Sequence, residues 1–181
     1  MLLPTAPKKF AFGKLNGVLK IVSKSKIWTT LEENESMGKF LVVANWKMNP
    51  STLQEAEVLF RNVQKGIAGL KDVEVIFCPP YVYLPALGAS AFARQRPGLG
   101  GLAFGSQNCH WEKAGAFTGE VSAFMIKDAG GQYVILGHSE RRHHFGETDE
   151  LINKKIKAAL KERLRPILAI GEKEEEREQV S

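Results

Sequence analysis

The sequence predicts a parallel α/β fold, and three observations carry the prediction. Short β-rich runs begin near Phe40, Val73, Leu102, Tyr133 and Pro166, at spacings of 33, 29, 31 and 33 residues. Strand, helix, strand at that interval is the repeat of the βαβ unit, whose right-handed crossovers make the strands parallel. The runs are also continuously apolar (Phe40-Leu41-Val42-Val43-Ala44, Pro166-Ile167-Leu168-Ala169-Ile170), as a sheet covered on both faces requires. Finally, no G-x-G-x-x-G follows the first run; Gly98, Gly100 and Gly101 precede a strand and miss the spacing, which argues against a dinucleotide-binding sheet. Pattern alone leaves two architectures open, an open doubly wound sheet and a section of an eight-stranded barrel.

The elements follow in order. Residues 1–36 contain no acid before Glu32 and show no sustained period, after which Met37-Gly38-Lys39 opens directly onto the first apolar run. They are expected to be a leader, disordered or not part of the native protein, with residues 37–181 as the single folded domain. A cleaved organelle transit peptide is the rival reading, weakened because the leader has no arginine. After the first run, Ser51 and Gln54 fit a capping box. Leu53, Ala56, Phe60, Val63 and Ile67 then recur at helical spacing, the stripe of a helix lying on a sheet. After the fourth run, Asp149 and Glu150 suit the positive end of a helix, and Lys161 and Arg163 the negative end. Ile152, Ile156, Ala159, Leu160 and Leu164 are expected on its inner face.

Composition narrows the function. With 181 residues and 44% hydrophobic content, the chain can bury a core of its own. No apolar run approaches the roughly 20 residues that span a bilayer, so no membrane partner is expected. The formal charge of +5 is unevenly placed. The leader's six lysines against three glutamates supply +3, leaving only +2 for the remaining 145 residues. A nucleic-acid surface needs its cations clustered on the folded domain, so no nucleic-acid partner is expected either. Cys78 and Cys109 have no metal-ligand spacing and read as buried reduced thiols, which suits a cytoplasmic protein.

Polar groups gather just after the strand ends, where parallel α/β proteins display their chemistry. Asn45 and Lys47 follow the first run, Gln107, Asn108 and His110 the third, and His138, Ser139, Glu140 and Arg141 the fourth. An ammonium, an amide donor and an imidazole together suit a reaction in which negative charge grows on an oxygen. Taken singly, each has a plainer reading. Lys47 could be solvated, His138 a satisfied loop histidine, and Glu140 with Arg141 a structural ion pair. His143 and His144 read as surface residues, since no third metal ligand stands at suitable spacing. The acidic run Glu172 to Glu176 reads as the exposed face of a starting helix.

The full strings outweigh those plain readings. A-N-W-K-M-N at Ala44 to Asn49, C-P-P-Y-V-Y-L at Cys78 to Leu84 and W-E-K-A-G-A-F-T-G-E-V-S at Trp111 to Ser122 resemble triosephosphate isomerase. So do G-H-S-E-R-R from Gly137, the F-G-E-T-D-E that follows, and the ending P-I-L-A-I-G-E. The resemblance covers about Lys39 to Gln179. It implies the TIM (β/α)8 barrel, here an incomplete barrel of about five parallel strands with flanking helices.

The implied activity is interconversion of dihydroxyacetone phosphate and glyceraldehyde 3-phosphate through an enediolate, in glycolysis and gluconeogenesis, with no metal or organic cofactor. By the resemblance, His138 is the neutral electrophile, Lys47 stabilises oxyanion charge and binds substrate, Asn45 bonds the substrate oxygen, and Glu140 holds Lys47. Ser139 belongs to the supporting shell. The family is a homodimer in which one subunit's third loop reaches the other's site. Here that loop is Gln107 to Glu120, with Thr118 at its tip and Glu120 and Arg141 as an expected intersubunit ion pair. Ala169 departs from the family's usual cysteine, a change expected to affect packing more than chemistry.

The resemblance also implies a base glutamate, a lid and last phosphate-binding loops beyond the five runs counted here. The chain is therefore expected to be a fragment without its general base. The alternative is a non-catalytic half-barrel that binds or assembles with another polypeptide.

Overall fold

The structure, a computed structural model, describes residues 19–22, 26–27, 40–67, 73–92 and 102–171. Five of its strands are the expected runs: β3 (Phe40–Asn45), β4 (Val73–Cys78), β5 (Leu102–Ser106), β6 (Tyr133–Leu136) and β7 (Arg165–Ile170). All neighbouring pairs from β3 to β7 are parallel and lie in sequence order. The pairing slides along the strands as it crosses the sheet. β4 meets β3 from Val73 but β5 only from Val75, and β5 meets β6 from Gly105. Such stagger accompanies the strand tilt of a barrel, and the five strands form a half-barrel.

Two short strands were not expected. β1 (Leu19–Val22) pairs parallel with β7, and β2 (Lys26–Ile27) pairs antiparallel with β1. An edge strand offers unpaired N–H and C=O groups, and the apolar Leu-Lys-Ile-Val segment meets those of β7. The rest of residues 1–36, and the acidic run at Glu172, lie outside the described residues.

Side chains alternate between two apolar layers because strand neighbours point to opposite faces. Leu41, Val43, Ile76, Cys78, Ala103, Tyr133, Ile135 and Ile167 fill the concave side. Val75, Phe77, Phe104, Val134 and Leu136 face the helices. There Phe60 packs edge-on against Phe77 at 5.2 Å and lies 5.5 Å from Phe104. These aromatics seat α1 (Leu53–Gly66) across β4 and β5, joined by α2 (Leu84–Phe92), α3 (Ala123–Asp128) and α5 (Asp149–Lys161). A seven-residue helix, α4 (Ser139–Phe145), precedes α5.

Helix ends refine the sequence reading. The capping box of α1 is Thr52 with Glu55, one residue beyond Ser51 and Gln54, and Glu55 accepts from the N–H groups of both Ser51 and Thr52. In α5 the inner face holds Ile152, Lys155 and Ala159, whereas Leu160 is exposed. The lysine's burial has a reason in the charges around it, given below.

The concave layer ends in a polar tie at the strand N-termini. Tyr133 donates its hydroxyl to Glu74 at 2.9 Å and accepts from Arg165 Nη1 at 2.9 Å. The opposite end, where the strands finish, carries the candidate site.

Candidate active site

Three strand ends position the site. Asn45 closes β3, and its Oδ1 accepts a 2.9 Å hydrogen bond from the Lys47 N–H. That tight turn holds Lys47 at a φ of 54°, a left-handed conformation uncommon outside glycine. Gln107, just after β5, secures the turn: its Nε2 donates to the carbonyls of Lys47 and Cys78, each at 2.8 Å. The lysine is thus aimed by its backbone, and its side chain stays 55% exposed.

After β6 the chain turns at Gly137, whose φ is 72°. A Cβ there would sit 3.1 Å from the Ala169 carbonyl and 3.2 Å from both Arg142 and Leu168, so the turn requires glycine on two counts. His138 then caps α4, its Nδ1 accepting the Glu140 N–H at 3.3 Å. An accepting Nδ1 leaves the proton on Nε2. Burial pushes the His138 pKa below its ordinary 6.5, opposed by Glu140 and reinforced by Lys47. The ring is therefore a neutral N–H donor at pH 7.

Glu140 joins the two. One oxygen lies 2.5 Å from Lys47 Nζ and the other 3.6 Å from His138 Nδ1. The bond from Lys47 holds this carboxyl below its ordinary 4.5. Ammonium and imidazole, 91 positions apart in the chain, share one end of the sheet, the carboxylate bonded to the first and lying beside the second. Ser139 opens α4 beside them and is partly buried.

The remaining expected residues stand apart. Thr118 is exposed on the loop after β5. That loop is tied by the His110 N–H to the Val121 carbonyl at 2.8 Å and by His110 stacking on Trp111 at 4.1 Å. Glu120 comes within 3.5 Å of His110 Nδ1. Arg141 donates Nε to Glu147 at 2.5 Å and lies over the Phe145 ring. His143 and His144 are exposed, and among the described residues no group of three or more His, Cys, Asp or Glu is placed to hold a metal.

Sequence reasoning missed a second charged group beneath the site. Lys155, buried on α5, bonds Glu147 and the Asn108 Oδ1, the latter at 2.9 Å. Burial pushes Glu147 up, but the hydrogen bonds from Lys155 and Arg141 outweigh it and hold the carboxyl below 4.5. The available signal was periodicity: a lysine three residues after Ile152 and four before Ala159 falls on the buried face.

A parallel half-barrel with polar side chains converging beyond its strand ends is an α/β-barrel protein of the kind that works at that face. Comparison with known sequences gives the family. The profile of triosephosphate isomerase matches residues 40–181. A triosephosphate isomerase of Aquifex aeolicus (strain VF5) is 49% identical over 138 residues, covering 76% of this chain and 53% of that protein. One from Alkaliphilus oremlandii is 47% identical over 142 residues, and one from Carboxydothermus hydrogenoformans 49% over 142, each covering 78% of this chain and 54% of the relative. The chain belongs to the triosephosphate isomerase family, and it spans about half the length of the curated relatives it matches. Among the described residues no helix is long and apolar enough to cross a membrane.

Proposed function

We propose that this chain carries the electrophilic half of a triosephosphate isomerase site, acting on dihydroxyacetone phosphate and glyceraldehyde 3-phosphate without a metal or organic cofactor. The observation that carries the reading is the Lys47–Glu140–His138 cluster, with a neutral imidazole whose Nε2–H is the available donor. When a base removes a proton from the carbon beside the carbonyl, charge grows on the carbonyl oxygen. His138 Nε2–H and the Lys47 ammonium would meet that charge, and the Asn45 amide nitrogen would donate to the substrate, since its oxygen is occupied by the Lys47 N–H. The same imidazole then passes a proton between the two oxygens of the enediolate, and the carbon-bound proton returns at the neighbouring carbon. By resemblance, the base and the last phosphate loops belong to the part of the relatives that this chain does not span.

A chimaera tests this directly. The chain is joined to the complementary part of the Aquifex aeolicus relative and assayed for isomerisation with a coupled dehydrogenase. Activity is expected, with His138→Gln lowering kcat by about 10²- to 10⁴-fold. An active chimaera indifferent to both His138→Gln and Lys47→Met overturns the assignment. The 181-residue chain alone is expected to show little or no turnover.

The partner side of the proposal is a homodimer in the cytoplasm. Met48, Val82 and Phe145, all in segments after strand C-termini, are large and exposed, and they lie at the same end as the loop bearing Thr118 and Glu120. Arg141 would pair across the interface with Glu120. Cys78 and Cys109 are buried free thiols, compatible with a reducing compartment. We also retain residues 37–181 as the domain, which N-terminal sequencing of the native protein tests.

A second reading, a non-catalytic half-barrel that assembles with another polypeptide, draws support from β3. Phe40 and Val42 stand 73% and 41% exposed on its outer face. A monomeric mass in solution removes that reading.

A further inference from the structure

Resting on the reading of His138 as the electrophile, we propose that Arg142 positions its imidazole by clamping the backbone on both sides of it. Arg142 Nε donates to the Gly137 carbonyl at 3.0 Å, and the Arg142 N–H donates to the His138 carbonyl at 3.2 Å. The first carbonyl belongs to the peptide unit that enters His138, the second to the unit that leaves it. Peptide units are planar, so only φ and ψ of His138 lie between these two. Holding both planes therefore fixes the direction in which Cβ leaves the backbone. The imidazole then needs only its own rotamer to accept the Glu140 N–H through Nδ1, at 3.3 Å.

The main-chain bond is the ordinary one of a helix's first turn, open to any residue at that position. The side-chain bond is particular to this one. A guanidinium presents its N–H groups in a single rigid plane. Here Nε turns back five residues to Gly137, while Nη1 reaches Asp149 Oδ1 at 2.8 Å, at the start of α5. The fork is thus pinned between the turn after β6 and a second helix. Its Nη2 passes over Gly137, 3.2 Å from where a Cβ would stand, so the bare glycine is what admits it.

The ordinary use of Arg142 would be a surface ion pair between α4 and α5. Asp149 is 82% exposed, and such a pair adds little by itself. That use leaves the Nε bond to Gly137 without a purpose. The two consecutive arginines are set differently: Arg141 reaches inward to Glu147, and Arg142 holds the turn on which His138 sits.

Arg142→Lys is the test, because it keeps the charge and replaces the rigid fork by one ammonium on a flexible stem. Two NMR readings are taken on the 181-residue chain without substrate: exchange of the Glu140 amide proton, and titration of the His138 ring. The ring faces Glu140 on its own helix and Lys47 from the turn after β3, and both stay in place. In Arg142→Lys the Glu140 amide should exchange about tenfold faster or more. The His138 pKa should move up towards 6.5 as the ring loses burial. Asp149→Ala frees only the far end of the fork and should move both readings the same way, by less. Thr52→Ala removes the cap of α1 and lowers overall stability, yet should leave both readings at the parent's values. Parent readings in Arg142→Lys would overturn the clamp, and so would Thr52→Ala reproducing its changes. Neither reading involves turnover, so they decide the clamp whether or not the chimaera isomerises.

Discussion

Two carboxylates seven residues apart hold two lysines in opposite ways. Glu140 meets Lys47 in the open, with both side chains about half exposed. Glu147 meets Lys155 in the interior, where each side chain is 5% exposed. Water screens the first pair, so its attraction adds little to folding, and its ammonium stays available to a ligand. The second pair has given up hydration. It is tolerable because Arg141 and Lys155 both meet Glu147 Oε1 and Asn108 meets the ammonium, although the buried Glu147 Oε2 has no hydrogen-bond partner. One pair leaves its ammonium open to solvent, and the other ties α4 to α5 through Glu147.

Breaking the inner pair should have the largest effect. Glu147→Leu strands the Lys155 ammonium and turns Arg141 loose, at a cost of about 3–5 kcal/mol in urea unfolding. A loss below 1 kcal/mol would mean the interior charge is better hydrated than its burial indicates. Lys155→Met leaves Glu147 still bound to Arg141, so the expected cost is smaller, about 1–3 kcal/mol.

Acid sharpens the same contrast. The carboxyl of Glu147 lies below 4.5 in the folded protein, so its contribution is complete above 4.5 and lost as pH falls through the folded value. Glu147→Gln should flatten the acid limb of stability against pH. His138 is neutral in the folded protein and ionises to the opposite charge, but the direction of loss is the same. Its folded pKa lies below 6.5, so the unfolded chain takes up the proton first and stability declines as pH drops below 6.5. His138→Gln should remove that decline, measured by melting temperature between pH 7 and 5. The smallest effect belongs to the outer pair. Lys47→Met should change stability by less than about 1 kcal/mol while removing activity from the chimaera.

The strands were legible because each is a continuous apolar run at the βα spacing, and every start was read within one residue. The Lys47 and His138 neighbourhood was legible because both follow strand ends within strings that carry the family resemblance. Lys155 was hidden because its partners, Asn108 and Glu147, are 47 and 8 residues away, and an apolar count favoured Leu160. The cap of α1 was misplaced because Ser51-Gln54 and Thr52-Glu55 both satisfy the motif, and only geometry separates them. The Leu19–Val22 strand was missed because four residues without a period are recognised only by the edge they meet.

Gln107 couples three strands through one amide. Its nitrogen grips the backbone of β4's last residue and of the turn after β3, while its own backbone continues β5. These ends are therefore tied together, and the turn that presents Lys47 is held by a single side chain. Exchanging that amide for a carboxylate would set like partial charges against both carbonyls and wedge the mouth open, altering the aim of Lys47 without touching it.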